Sequence, residues 1–212
     1  MRPDCCATMS RMSKTRLEAF SDGVLAIVIT IMVLEFRLPD AAAGPGLTFR
    51  EVVDHVKPVF LAYVLSFVFL GIYWCNHHHL MHAVERVSGA MLWANLHLLF
   101  WLSLVPFTTH WIAHDAHLDP AATAVYGLIL MLAGIAYRVL VSAILAHHGP
   151  SSRLAQAIGS DFKGWVSVVI YAAAIPLALY VTPWISIALY VVVALMWLVP
   201  DRRIERRLAA SR

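Results

Sequence analysis

The densest cluster of side chains that could do chemistry in this sequence consists of histidines. His77, His78, His79 and His82 fall within one short stretch. On a helix His78 and His82 lie one turn apart, a spacing that suits two ligands of a metal ion. No carboxylate or thiolate pair at a fixed spacing completes such a site, and no residue specifies a haem. Histidines that form hydrogen bonds between membrane helices are the interpretation that the sequence favours. A metal or haem site remains the alternative.

Other polar groups stand at the edges of apolar segments. Arg16, Ser21 and Asp22 precede the first apolar run, and Asn95 and His97 interrupt a later one. A carboxylate at a membrane boundary is usually paired or functional. Arg16 is the cation nearest to Asp22 in sequence. We therefore expect these groups to contact one another or neighbouring helices.

A further histidine set precedes the fourth apolar segment, together with two aspartates: His110, His114, Asp115, His117 and Asp119. These imidazoles could titrate near neutral pH, but solvated loop side chains are the simpler interpretation. Walker loops, zinc-protease helix motifs and nucleophile elbows do not occur in the sequence. The potassium filter sequence Thr-Val-Gly-Tyr-Gly is also absent. The chain is therefore not predicted to be an enzyme.

The composition indicates what holds these groups. Of the 212 residues, 60% are hydrophobic and only 14% are charged, whereas soluble domains carry about 25% charged residues. A soluble fold of this length cannot bury so much apolar surface. The sequence therefore predicts an all-α integral membrane protein with one transmembrane domain, and no nucleic-acid partner.

Apolar runs of about 20 residues are needed to cross a bilayer. The longest run free of charge, 164–200, is divided at Thr182-Pro183, because proline disfavours helix at the residue before it. Six transmembrane helices are predicted, at about 16–37, 58–80, 87–109, 121–146, 164–181 and 184–200, followed by a tail at 201–212.

The basic residues predict the orientation. With six helices both termini share one side, which carries twelve Lys and Arg residues. The opposite side carries Arg37, Arg50 and Lys57. By the positive-inside rule both termini are predicted to be cytoplasmic, in a multi-pass protein of the plasma membrane.

The first helix carries an apolar stripe. Ile27, Ile31 and Leu34 follow the spacing of one helix face, with Thr30 beside them. Such stripes are normally packing surfaces. Pore lining is the alternative.

Three motifs, carried by four segments, resemble those of a known family. Segment 16–24 resembles the Arg-x-x-x-Phe-Ser-Asp signature of the transmembrane protein 175 family, which comprises lysosomal potassium channels in animals and smaller bacterial relatives. Segment 73–78 resembles the Tyr-Trp pair and two histidines of its second helix, and segments 93–96 and 104–108 resemble its third helix.

The resemblance implies a bacterial-type, single-repeat subunit. Four copies would surround a central pore lined by the first helix, with K⁺, the bilayer and other copies of the chain as partners and no cofactor. The pore constriction would be hydrophobic and modestly potassium-selective, beginning at Ile27, with Thr30, Ile31 and Leu34 continuing the lining outward. A polar network outside the constriction would include Arg16, Phe20, Ser21, Asp22, His77 and Asn95.

Two other functions remain open beside a passive channel. A proton-coupled secondary transporter could use the inner histidines and Asp22, and the metal or haem protein could use the same histidines. A transporter usually needs ionisable residues near the bilayer midplane. The middle of the first helix has none.

Overall fold

The fold is that of a computed structural model, which describes residues 14–35, 48–82, 84, 86–114, 118–148 and 162–198. The described residues form helices and no strand. These are α1 (Lys14–Ile31) with a 3-10 extension (Met32–Glu35), α2 (Phe49–His82), α3 (Gly89–Ser103), α4 (Val105–His114), α5 (Pro120–His148), α6 (Phe162–Tyr180) and α7 (Pro183–Leu198). The predicted tail 201–212, which holds five of the twelve basic residues assigned to the cytoplasmic side, lies outside the described residues.

The helices form six apolar spans. Five segments are long and apolar enough to cross a bilayer: Lys14–Leu34, Val56–His82, Gly89–Ala113, Pro120–His148 and Phe162–Tyr180. The sixth, α7, is also apolar but has 16 residues, which corresponds to about 24 Å of helix. The chain is an all-helical membrane protein whose six spans agree with the sequence-based prediction.

The third span differs from the continuous helix expected at 87–109. It divides at Leu104, where α3 ends and α4 begins. Pro106 follows directly, and because it has no N–H it cannot donate to the carbonyl of Leu102. The second span also differs, since α2 begins at Phe49 and its charged first turns extend beyond the apolar run.

The last two spans form a tight helical hairpin. The backbone N–H groups of Val181 and Thr182 both donate to the carbonyl of Leu177, at 3.1 and 2.9 Å, and α7 then begins at Pro183. The Ser186 hydroxyl donates to the carbonyl of Ala174 at 2.7 Å. These bonds fix α6 and α7 against each other near the turn.

Helix α5 lies at the centre of the subunit and contacts α3, α4, α6 and α7. Small residues on α5 allow this close packing. Gly127 faces the phenol ring of Tyr190 on α7, whose hydroxyl donates to the carbonyl of Thr123 at 3.0 Å. Tyr190 is fully buried as a result.

By contrast, α1 is covered by its own subunit on one side. Leu17, Ser21, Leu25 and Val28 are buried and follow one helix face. This face packs against α2 and α3. The remaining surface of α1 is largely uncovered within the subunit.

Candidate pore-lining site

The uncovered side of α1 and its 3-10 extension carries a row of apolar side chains. Ile27 is 64% exposed, Ile31 45% and Leu34 70%, and Phe20 near the start of the helix is 51% exposed. Their spacing of three, four and seven residues places them along one side of the span. This row, Phe20, Ile27, Ile31 and Leu34, is called the α1 stripe below. The described part of one subunit does not cover this row with protein.

Thr30 is the polar residue beside the α1 stripe. Its hydroxyl lies 2.8 Å from the carbonyl of Ala26 and 3.1 Å from that of Ile27. A threonine that bonds to the preceding turn of its own helix has no need of an outside acceptor. Thr30 therefore adds a methyl group to the exposed surface while its hydroxyl stays satisfied in an apolar setting.

A buried polar chain lies on the opposite side of α1. The amide nitrogen of Asn95 on α3 donates to the Ser21 hydroxyl at 2.9 Å, and the Asn95 amide oxygen lies 2.8 Å from Nε2 of His77 on α2. Ser21, His77 and Asn95 are each at most 2% exposed. This set of three residues joins the first three spans.

The direction of these hydrogen bonds follows from the last acceptor. The Ser21 hydroxyl donates its single proton to the carbonyl of Leu17 at 2.9 Å. It must therefore accept from the Asn95 amide nitrogen, which leaves the amide oxygen to face His77. His77 Nε2 consequently carries a proton and donates it. The Ser21 hydroxyl, the nitrogen and oxygen of the Asn95 amide, and Nε2 of His77 thus each have a hydrogen-bond partner, as a low-dielectric interior requires.

Asp22 belongs to a second contact at the surface. It accepts a hydrogen bond from the indole nitrogen of Trp74 at 3.0 Å. Trp74 in turn stacks on His78, and His78 stacks on His82, with ring centroids 6.0 and 5.1 Å apart. The sequence named Arg16 as the cation nearest Asp22. The Trp74 contact was not anticipated, although Trp74 is part of a segment that the family resemblance had marked.

The N-terminal end of α1 is joined to α2 by a third contact. Lys14 Nζ donates to the carbonyl of His82 at 3.0 Å and lies 3.8 Å from Glu18. Arg16, predicted to join the polar network, is exposed one turn before Phe20. Phe20 itself lies in the α1 stripe and not in the buried chain.

The remaining predicted polar residues are spread over other surfaces. His97 is exposed on α3 and accepts from the Trp101 indole at 2.9 Å. His78, His79 and His82 form a run of ring contacts along α2. Within the described ranges no group of three or more His, Cys, Asp or Glu side chains is placed to hold a metal ion.

Comparison with known proteins identifies similar chains. The family model described as the endosomal/lysosomal potassium channel TMEM175 matches residues 16–106. A potassium channel of Chryseobacterium sp. (strain P1-3) is 48% identical over 197 residues, which cover 93% of this chain and 98% of that protein. The endosomal/lysosomal proton channel TMEM175 of Homo sapiens is 38% identical over 86 residues, which cover 38% of this chain and 17% of that protein.

A solved structure has the same fold. The crystal structure of a lysosomal potassium-selective channel TMEM175 homolog from Chamaesiphon minutus superposes with a TM-score of 0.73 at 28% identity. The match covers 87% of this chain and 96% of that one. The resemblance stated from three sequence motifs is thereby confirmed over nearly the whole chain. This chain belongs to the TMEM175 family.

Proposed function

We propose that this protein is a potassium-selective cation channel that conducts passively through a pore lined by α1. The α1 stripe carries this proposal, because it is an apolar row that the subunit's own packing leaves uncovered. Four copies around a central axis would bring their stripes together. The relatives named as potassium channels, one of them matched over almost its full length, support potassium as the ion.

The constriction would be formed by Ile27, with Thr30, Ile31 and Leu34 continuing the lining. Rings of isoleucine cannot replace the hydration shell of an ion as a ring of carbonyls does, but they can gate by dewetting. Selection would then depend on pore width and on the cost of partial dehydration. Potassium holds its water less tightly than sodium, so a modest preference for potassium is expected, with no cofactor.

The buried chain would hold α1 at its angle to the pore axis. Ser21, Asn95 and His77 attach the inner half of α1 to α2 and α3, on the side away from the stripe. Asp22 and Trp74 add an exposed contact between α1 and α2. Together with Arg16 and Phe20, these groups would set the pore width without touching the ion in the constriction.

We place the protein in the plasma membrane, and the positive-inside rule supports cytoplasmic termini. The buried chain and the inner histidines would then lie toward the cytoplasmic side. The constriction would lie farther out along α1, because Ile27 follows Ser21 by almost two turns.

The test is ion flux into liposomes that contain the purified full-length chain, with K⁺ and Na⁺ compared. Ile27→Asn is the informative variant, since a polar ring would hold water and lower the dehydration cost. We expect faster flux and a weaker preference for potassium. Val33→Asn is the matched control. Val33 is 50% exposed on the same span but off the row of Ile27, so its substitution should leave selectivity unchanged.

Equal selectivity in wild type and Ile27→Asn, with both forming the same oligomer, would remove Ile27 from the constriction. A pH-sensitive dye in the same liposomes addresses the coupled-transporter alternative, since relatives are named as proton channels. Potassium uptake against its gradient, driven by a proton gradient, would replace the channel proposal by a carrier. Passive flux of either ion down its gradient supports the channel.

A further inference from the structure

A small cavity lies among α2, α5, α6 and α7, away from the α1 stripe. Its volume is about 40 Å³. It is called the four-helix cavity here, and it is lined by Phe69, Ile72, Tyr73, Asn76, Tyr137, Ser167, Tyr171 and Trp197. Most of this wall is aromatic or aliphatic, but five of the eight side chains carry an oxygen or an amide.

One of these polar groups has no hydrogen-bond partner among the described residues. Tyr171 is only 3% exposed, yet none of the described residues forms a hydrogen bond with its hydroxyl. Every fully buried side-chain nitrogen or oxygen in the described residues does have a partner. The Tyr171 oxygen is therefore not sealed in protein, and Tyr171 is one of the residues that line the four-helix cavity. In a low-dielectric interior a hydroxyl without a partner is destabilising.

The other polar side chains of the wall donate hydrogen bonds to protein, including Tyr73, whose hydroxyl donates to the carbonyl of Leu130 at 3.4 Å. Tyr137 donates to the carbonyl of Asn76 at 3.1 Å, and the Asn76 amide donates to Ile72 at 2.8 Å. Ser167 donates to the carbonyl of Lys163 at 2.8 Å and accepts from Trp197 at 2.9 Å. The wall thus offers a remaining lone pair on the Ser167 oxygen, the side-chain oxygen of Asn76 and, at Tyr171, one hydroxyl able to donate or accept. A matching ligand must be able to do both.

Size and chemistry together select the ligand. A water molecule needs roughly 10–15 Å³ of such volume and two or more polar partners, whereas a dry cavity that binds benzene is about 150 Å³. We infer that the four-helix cavity binds ordered water, and that this water completes the hydrogen bonding of Tyr171. The site is independent of ion conduction. It also places water on one side of α2, one residue from His77, whose ring faces the buried chain on the other side.

The site can be tested in the intact protein by radiolytic hydroxyl labelling, which oxidises side chains in contact with bound water. Tyr126 and Tyr190 are matched controls, because both are buried and both hydroxyls have protein partners, Ser66 and the carbonyl of Thr123. We expect Tyr171 to be oxidised several-fold faster than either control. Density for water within about 3.2 Å of the Tyr171 hydroxyl is expected in an experimental map.

Substitution separates a wet cavity from a dry one. If water is bound, Tyr171→Phe removes a satisfied hydroxyl and lowers the thermal midpoint slightly, as Tyr190→Phe also does. In a dry cavity Tyr171→Phe removes an unpaired polar group and raises the midpoint. A raised midpoint, labelling of Tyr171 as slow as that of Tyr190, or an empty map at the hydroxyl would each overturn the inference.

Discussion

Gly127 on α5 has a structural role that one substitution can measure. A Cβ atom at this position would lie 2.7 Å from Cζ of Tyr190 and closer still to its hydroxyl. Carbon atoms pack at about 3.5–4.0 Å, so the ring would have to retreat by about 1 Å. The Tyr190 ring has little room for this movement, because the rings of Tyr126 and Tyr171 pack against it with centroids 5.7 and 5.9 Å away.

The expected change in the free energy of unfolding combines two losses and one gain. Overpacking in a dense core costs about 1–3 kcal/mol, and displacement of Tyr190 weakens its bond to Thr123 by about 1 kcal/mol. Replacing glycine by alanine within a helix returns about 1 kcal/mol. Gly127→Ala should therefore destabilise the protein by about 1–3 kcal/mol.

Gly134→Ala is the matched control on the same helix. Its added Cβ would lie 3.6 Å from the Tyr73 hydroxyl, an ordinary contact, so the helix gain should remain. Thermal midpoints of the full chain in detergent, followed by tryptophan fluorescence, should fall for Gly127→Ala and hold or rise for Gly134→Ala. In a Tyr190→Phe background the loss from Gly127→Ala should shrink. If Gly127→Ala melts at or above the wild-type midpoint, Tyr190 does not occupy the space beside this glycine.

Three further substitutions test the contacts around α1. Asn95→Leu leaves the His77 N–H buried without an acceptor and should cost about 1–3 kcal/mol of stability, measured as a lower thermal midpoint. Ser103→Ala, which removes an exposed hydroxyl bonded to its own helix, is the control. Equal midpoints for the two variants would show that the buried chain does not stabilise the protein. Thr30→Val should leave the potassium preference in the liposome assay nearly unchanged, because the Thr30 hydroxyl is bonded to its own helix; a large shift would mean that this hydroxyl contacts the ion path. Trp74→Phe removes the donor to Asp22 at an exposed site and should lower the midpoint by less than Asn95→Leu does, and the reverse order would contradict the assignment of the buried chain as the stronger tie.

The six transmembrane spans could be predicted from the sequence because the features that define them lie close together in the chain. A run without charge, the polar groups that bound α1, and Pro183 after a threonine are each visible in a short window. The break at Leu104 was missed because Pro106 lies inside an otherwise continuous apolar run, and membrane helices tolerate proline, as α2 does at Pro58 and α6 at Pro176. The early start of α2 at Phe49 was missed because its first turns are charged and lie beyond the apolar run.

The contacts between spans were harder to predict, since they depend on how helices rotate and approach. Asn95 and His77 could be named as polar residues in apolar segments. That Asn95 bonds both Ser21 and His77, and that Asp22 bonds Trp74, depends on the crossing of three helices. The space beside Gly127 is likewise set by the position of α7, 63 residues farther along the chain at Tyr190.

The two-residue link between α6 and α7 bears on how the protein enters the membrane. A link of this length spans about 7 Å, so the ends that it joins cannot lie on opposite faces of a hydrocarbon core about 30 Å thick. During synthesis the chain must therefore turn back into the membrane as α7 directly after α6, because the link is too short to form a loop outside the membrane. We therefore expect the two helices to insert together as a single unit, with the bond from Ser186 to the carbonyl of Ala174 available to pair them as they do so.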